Sequence, residues 1–167
     1  GGDPTGFGGF FGEAILTDGP GNRGLDFNGD GEFIATGAIG QNDNYSDLFL
    51  TTLTVGPGQG GVWNFRINMH DDPAGIWLDL DQDGVFESGN GGLGDANGEL
   101  IAWNGGCCAQ RDLKSVTLAE GEYAMAFTHR EGGGGSQIDI TFAAPGIGER
   151  TIKPTDPAQD GLWSVIG

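Results

Sequence analysis

Positive charge is scarce in this 167-residue sequence: two lysines and five arginines stand against twenty-four acids, a formal net charge of −17. A surface of that sign repels nucleic acid and anionic lipid, so neither is expected as a partner, and it favours divalent cations. Long apolar runs are missing too. Nothing approaches the roughly 20 apolar residues needed to cross a bilayer, which excludes membrane insertion by a helix. Histidine occurs only at His70 and His129, each at the end of a predicted strand, where it reads as a surface hydrogen-bonder. No G-x-S-x-G, H-E-x-x-H or cysteine–histidine signature accompanies them, so the chain is expected not to be an enzyme. Paired carboxylates can hydrolyse glycosides, which leaves a glycoside-acting enzyme as the weakest of the readings.

Cysteine is limited to the adjacent pair Cys107 and Cys108, too few for a disulfide framework. Neighbouring Cα atoms lie about 3.8 Å apart, short of the usual disulfide range. Three states therefore stay open: free thiols, a disulfide between the two, or bonds to another chain. Few thiols, few lysines and many Asp, Asn and Gly loops fit an extracellular or cell-surface protein, and the glycine-rich start at Gly1 reads as that of a processed chain.

Glycine is what the chain has in excess: 35 residues, about a fifth of the total, against roughly 7 % in ordinary domains. Without a collagen-like period, that implies many tight turns between short elements. Those elements alternate with period two. "VWNFRINM" sets Trp63, Phe65, Ile67 and Met69 on one face, "EYAMAFTH" does so with Tyr123, Met125 and Phe127, and "QIDITF" with Ile138, Ile140 and Phe142. "DLFLTTLTV", "GIWLDL", "ELIAWN" and "LKSVTL" complete the set, and no window carries a capped helical stripe. The expected fold class is all-β, an antiparallel β-sandwich of jelly-roll type, with a barrel as the other architecture. Trp63 and Trp77 are expected in the core, Trp103 and Trp163 at contact surfaces.

Three regions are expected: a glycine- and aromatic-rich segment 1–24, a sandwich over 25–145 and an extension over 146–167. The outer two carry Phe7, Phe10 and Phe11 at one end and Leu162, Trp163 and Val165 at the other. Such apolar ends need a surface. They suggest strand exchange between copies of the chain, giving a self-assembled structural or adhesive material, for example a filament.

The acids are not spread evenly. Residues 70–88, "HDDPAGIWLDLDQDGVFES", hold six carboxylates and no lysine or arginine. Like charges so close require something positive among them, and a metal ion is the simplest candidate. The motif D-x-[DN]-x-D-G occurs twice, in "DFNGDGEF" and "DLDQDGVFE". Alternate residues aim oxygens at one centre, the glycine permits the turn, and the next carbonyl adds a ligand, as in the first half of an EF-hand loop. The second copy offers Asp79, Asp81, Asp83, the carbonyl of Val85, and Glu87. The first offers Asp26, Asn28, Asp30 and the carbonyl of Glu32. Asn90 stands where an EF-hand has its bidentate glutamate, so a calcium loop inside a β-protein is expected, or else a solvated hairpin turn.

From "DDPAGIWLDLD" through "SVTLAEGEYAMAFTHRE" to "GGGGSQIDITF", about residues 45–142, the chain resembles the PA14 family of β-sandwich modules. That family carries tandem aspartates ahead of a strand, then a strand pair and a glycine-rich loop. In its lectin-like members the tandem aspartates hold a calcium ion that also binds sugar hydroxyls. The resemblance therefore implies Ca2+ at Asp71 and Asp72, with Glu131 to Ser136 completing a glycan site. Pro73 departs from the pattern, in which glycine is common after the pair. Two readings follow: a self-assembling structural protein, with calcium-dependent glycan binding as the alternative.

Overall fold

The computed structural model describes residues 10–15, 18–35, 43–87, 98–108 and 112–164, with the side chains of 10–15, 34 and 35 excepted. Phe7, Asn90 and Val165, and the side chains of Phe10 and Phe11, lie outside what it describes.

Two sheets face one another. The first runs β1 (Phe10–Ile15), β3 (Tyr45–Val55), β8 (Gly121–Glu131), β5 (Ala74–Leu78), β6 (Leu100–Asn104), with β11 (Trp163–Ser164) also on β3. The second runs β10 (Ile147–Thr151), β9 (Gln137–Ala144), β4 (Gly61–Asp71), β7 (Asp112–Leu118), with β2 (Asp26–Phe27) also on β9. All described pairings are antiparallel except β1 with β3. The fold is thus an all-β sandwich. A six-residue helix, α1 (Asp30–Ala35), interrupts it, an element with no mark in the sequence pattern because fewer than two turns carry no repeat.

The core follows from the alternation. Trp63, Phe65 and Ile67 of β4 and Ile138, Ile140 and Phe142 of β9 point inward against Phe49, Leu53, Tyr123, Met125 and Phe127 of the other sheet. At about 1.5–3 kcal/mol for each such side chain, their burial outweighs any single polar contact. A second apolar group, Leu48, Trp77, Leu100 and Ala126, lies apart from this core with Leu50, Phe86 and Trp103 against it. β5 is therefore apolar on both faces, which is why "GIWL" reads as a continuous run.

A β-bulge between Ile67 and Met69 corrects the sequence reading at a point that matters. One extra residue in β4 flips every side chain after it to the other face. Met69 leaves the core, and His70, expected on the surface, becomes fully buried. His129 is buried as well, stacked on Phe33 with ring centroids 4.6 Å apart.

The C-terminal segment is corrected too. Leu162 and Trp163 belong to the main core, Trp163 edge-on to Phe142 at 5.2 Å, with its indole N–H donating to Gln159 Oε1 at 2.6 Å. β11 pairs with one half of the edge of β3 and β1 with the other half. Both ends of the described chain thus supply strands to the same sheet.

Candidate functional site

Four connections pass from one sheet to the other at a single end of the sandwich. They are β2 to β3 through α1, β4 to β5 at Asp72–Pro73, β6 to β7 through the Cys107–Cys108 turn, and β8 to β9 through Gly132–Ser136. The register fixes this convergence: Tyr45 pairs with Glu131, Ala74 with both His129 and Asn104, and Asp71 with Gln137. Residues far apart in sequence therefore meet where β4 and β8 end.

Asp71, Asp72 and Glu131 form the centre. Each offers a carboxylate oxygen within 4.8 Å of the others. The two aspartates are half-buried and flank a cis peptide bond, whereas Glu131 is wholly buried. Asp72 Oδ2 accepts the Gly132 N–H at 2.9 Å, and a Cβ on Gly132 would sit 3.0 Å from that oxygen, so a larger residue would have to push the carboxylate back. Neither oxygen of Glu131 has a hydrogen bond of full geometry, and the Gly133 N–H approaches it only weakly. Burial, and then the charge of Asp72, push its carboxyl up to about 7 against weaker opposite pulls from His129 and the Gly133 N–H. Burial and Asp72 likewise raise Asp71. A buried acceptor without a donor costs on the order of 1–3 kcal/mol, more when charged, so Glu131 needs either a proton or a cation. The donor set is all oxygen, which suits a hard ion such as calcium.

A buried polar layer lies beneath. His129 Nε2 contacts the Asp71 carbonyl oxygen at 2.7 Å, and its Nδ1 faces Asp47 Oδ2 at 3.0 Å. Burial raises the Asp47 carboxyl, and His129 partly offsets this. His70 Nδ1 contacts the Asp72 carbonyl oxygen at 3.0 Å. Both carbonyls of the tandem aspartates are thereby held from below. Ser136, expected in a glycan site, is buried, and its hydroxyl donates to Asp30 Oδ1 instead.

The acidic loop after β5 is a separate feature. Asp79, Asp81, Asp83 and Glu87 do come together, in two overlapping groups, Asp79–Asp81–Glu99 and Asp81–Asp83–Glu87. Glu99 is a residue that sequence reading missed. It is buried, and its carboxylate accepts the N–H groups of Leu80 at 2.6 Å, Asp81 at 3.3 Å and Glu87 at 3.0 Å. Asp79 accepts from Asp83 and Gly84, and Asp83 from Val85. Positive φ at Gln82 and Gly84 permits this curl. Its only sequence signal was an acid directly before "LIAWN".

In the first copy of the motif the oxygens have other partners. Glu32 takes Arg23 Nη2 at 2.6 Å and the Asn28 N–H at 2.7 Å, Asp26 takes the Asn28 amide, Asn28 takes Gln137, and Asp30 takes Ser136. Helix α1 starts at Asp30 and turns the chain before a ligand loop can close. These four residues do not join any metal-type group among the described residues.

Cys107 and Cys108 are paired as a disulfide between neighbours. Both are exposed, and their sulfurs lie 3.0 and 3.2 Å from Asp71 Oδ1.

No family model and no curated protein matches the sequence. Solved structures that are similar to the chain include the following two. One is a subtype-switched epithelial adhesin A domain from Candida glabrata in complex with beta-lactose, 15% identical over 66% of this chain, with a TM-score of 0.41. The match spans 53% of that protein's chain, about half its length. The other is a PA14 sugar-binding domain from an RTX adhesin, 19% identical over 78% of this chain and 72% of its own, with a TM-score of 0.49. The second is of the kind that the sequence resemblance names.

Proposed function

We propose that this chain is an extracellular or cell-surface adhesive module that binds glycan hydroxyls through a calcium ion at Asp71, Asp72 and Glu131. The observation that carries the reading is the Glu131 carboxylate, buried, with no hydrogen bond beyond a weak approach of the Gly133 N–H, and set against two further acids. Calcium takes six to eight oxygens. Three carboxylates at a half-open rim leave positions that a bound ion would offer to neighbouring sugar hydroxyls. Sugar binding by the two similar structures is theirs; for this chain the glycan rests on the PA14 resemblance and on this donor set. A second, structural ion is proposed at Asp79, Asp81, Asp83, Glu87 and Glu99. That loop also closes through its own N–H groups, so the ion is an addition to a shape already formed.

Self-assembly through the ends has less support, because Leu162 and Trp163 are spent inside their own core. The test is retention on a glycan array with calcium, with EDTA, and with Asp72→Ala in calcium. The reading expects retention only in the first case. Retention that survives Asp72→Ala would remove glycan binding from this site.

A further inference from the structure

The rim of the site carries sulfur as well as oxygen. The turn between β6 and β7 lays Cys107 and Cys108 over Asp71, with both sulfurs close to Oδ1. Asp71 Oδ2 is the oxygen near Gly135, 3.7 Å from where a Cβ would stand there. One carboxylate oxygen and the two sulfurs fall within 4.8 Å of one another, a donor group that shares Asp71 with the all-oxygen group of Asp72 and Glu131. As a disulfide the sulfurs are neutral and poor ligands for a hard ion. As thiolates they are soft ligands of the kind that zinc and cadmium prefer.

We infer that Cys107 and Cys108 form a redox-controlled second ligand set: reduced, the two thiolates and Asp71 bind a soft divalent cation in competition with calcium. The reduction consumes one equivalent of a dithiol, which supplies two electrons and two protons, breaks the S–S bond and leaves as its own disulfide. The incoming cation then displaces both thiol protons to solvent and forms two metal–sulfur bonds. Two dications sharing the one Asp71 carboxylate would repel each other, so the redox state of this pair favours one class of ion at the rim over the other. Only the competition with calcium rests on the function proposed above; the sulfur site stands on the Cys107–Cys108–Asp71 geometry.

The experiment uses the full chain, oxidised and after treatment with a dithiol, with cadmium as the probe. The reduced protein should show a thiolate-to-cadmium charge-transfer band and bind cadmium about 100-fold more tightly than the oxidised protein. Asp71→Asn should weaken cadmium binding by the reduced protein about tenfold. An unfolded chain with two adjacent cysteines would show no such dependence on Asp71, so a loss of fold on reduction is told apart. Absence of the band, or cadmium affinity indifferent to Asp71→Asn, overturns the inference. Calcium titration of the oxidised protein is read separately: if calcium fails there while the cadmium results hold, the calcium reading falls and the sulfur site remains.

Discussion

Removing the buried charge at Glu131 should stabilise the protein without metal, not at acid pH but increasingly above pH 4.5 and most at neutral pH and beyond. The carboxyl ordinarily titrates near 4.5 and is here pushed up to about 7. Below 4.5 the folded and unfolded chains both hold the proton, and the stability gained from the higher folded affinity is fully present. It is lost as pH rises toward and through 7, because the unfolded chain gives up its proton first. At ~1.36 kcal/mol per pH unit, the difference reaches at most about 3 kcal/mol, and solvent screening at the rim brings it to between about 1 and 3. Glu131→Gln keeps the shape and an oxygen for the Gly133 N–H, and adds an amide N–H beside Asp72. In EDTA at pH 8 the variant should therefore unfold about 1–3 kcal/mol later than wild type, a melting-point rise of roughly 2–12 °C for a chain of this size. At pH 4 the two should coincide. Calcium at about 1 mM should raise wild type by on the order of 0.4–1.4 kcal/mol per site, for a dissociation constant of about 0.1–1 mM, and add less to the variant. Thermal unfolding followed by circular dichroism, at both pH values and with and without calcium, measures all four arms. A variant no more stable than wild type in EDTA at pH 8, or equally shifted at both pH values, would refute the reasoning.

Two further outcomes follow from the packing. Glu99→Ala strips acceptors from three N–H groups of the acidic loop and should cost about 1–3 kcal/mol in urea unfolding, with Trp77 fluorescence reporting the loop through its contact with Phe86. An unaltered midpoint would mean that the loop does not depend on this carboxylate. Trp163→Ala should cost about 3–5 kcal/mol, as a core truncation does, and leave sedimentation of the folded fraction unchanged. Altered association with intact stability would instead make Trp163 a contact between copies.

The sandwich was legible because burial enforces period two, and Trp63, Phe65, Ile67, Ile138, Ile140 and Phe142 obey it. His70 was misjudged because a bulge has no reliable sequence mark: one unpaired residue after Ile67 reversed the faces. Trp163 was misjudged because a two-residue strand has no alternation to read and resembles a tail. Asp71, Asp72 and Glu131 were all named from a resemblance, yet the burial of the Glu131 carboxylate beside the two aspartates depends on β3–β8 register and on packing, neither of which a sequence displays. The repeated D-x-[DN]-x-D-G motif misled in one respect. Its two copies differ in what surrounds them, Arg23 and Ser136 in one case and Glu99 in the other, and those neighbours decide what the oxygens do.

A crystal grown in calcium and mapped by its anomalous signal tests the central claim directly. The account predicts a peak bounded by Asp71, Asp72 and Glu131, with oxygens at about 2.3–2.6 Å. A map with no peak there, at millimolar calcium and neutral pH, would contradict it.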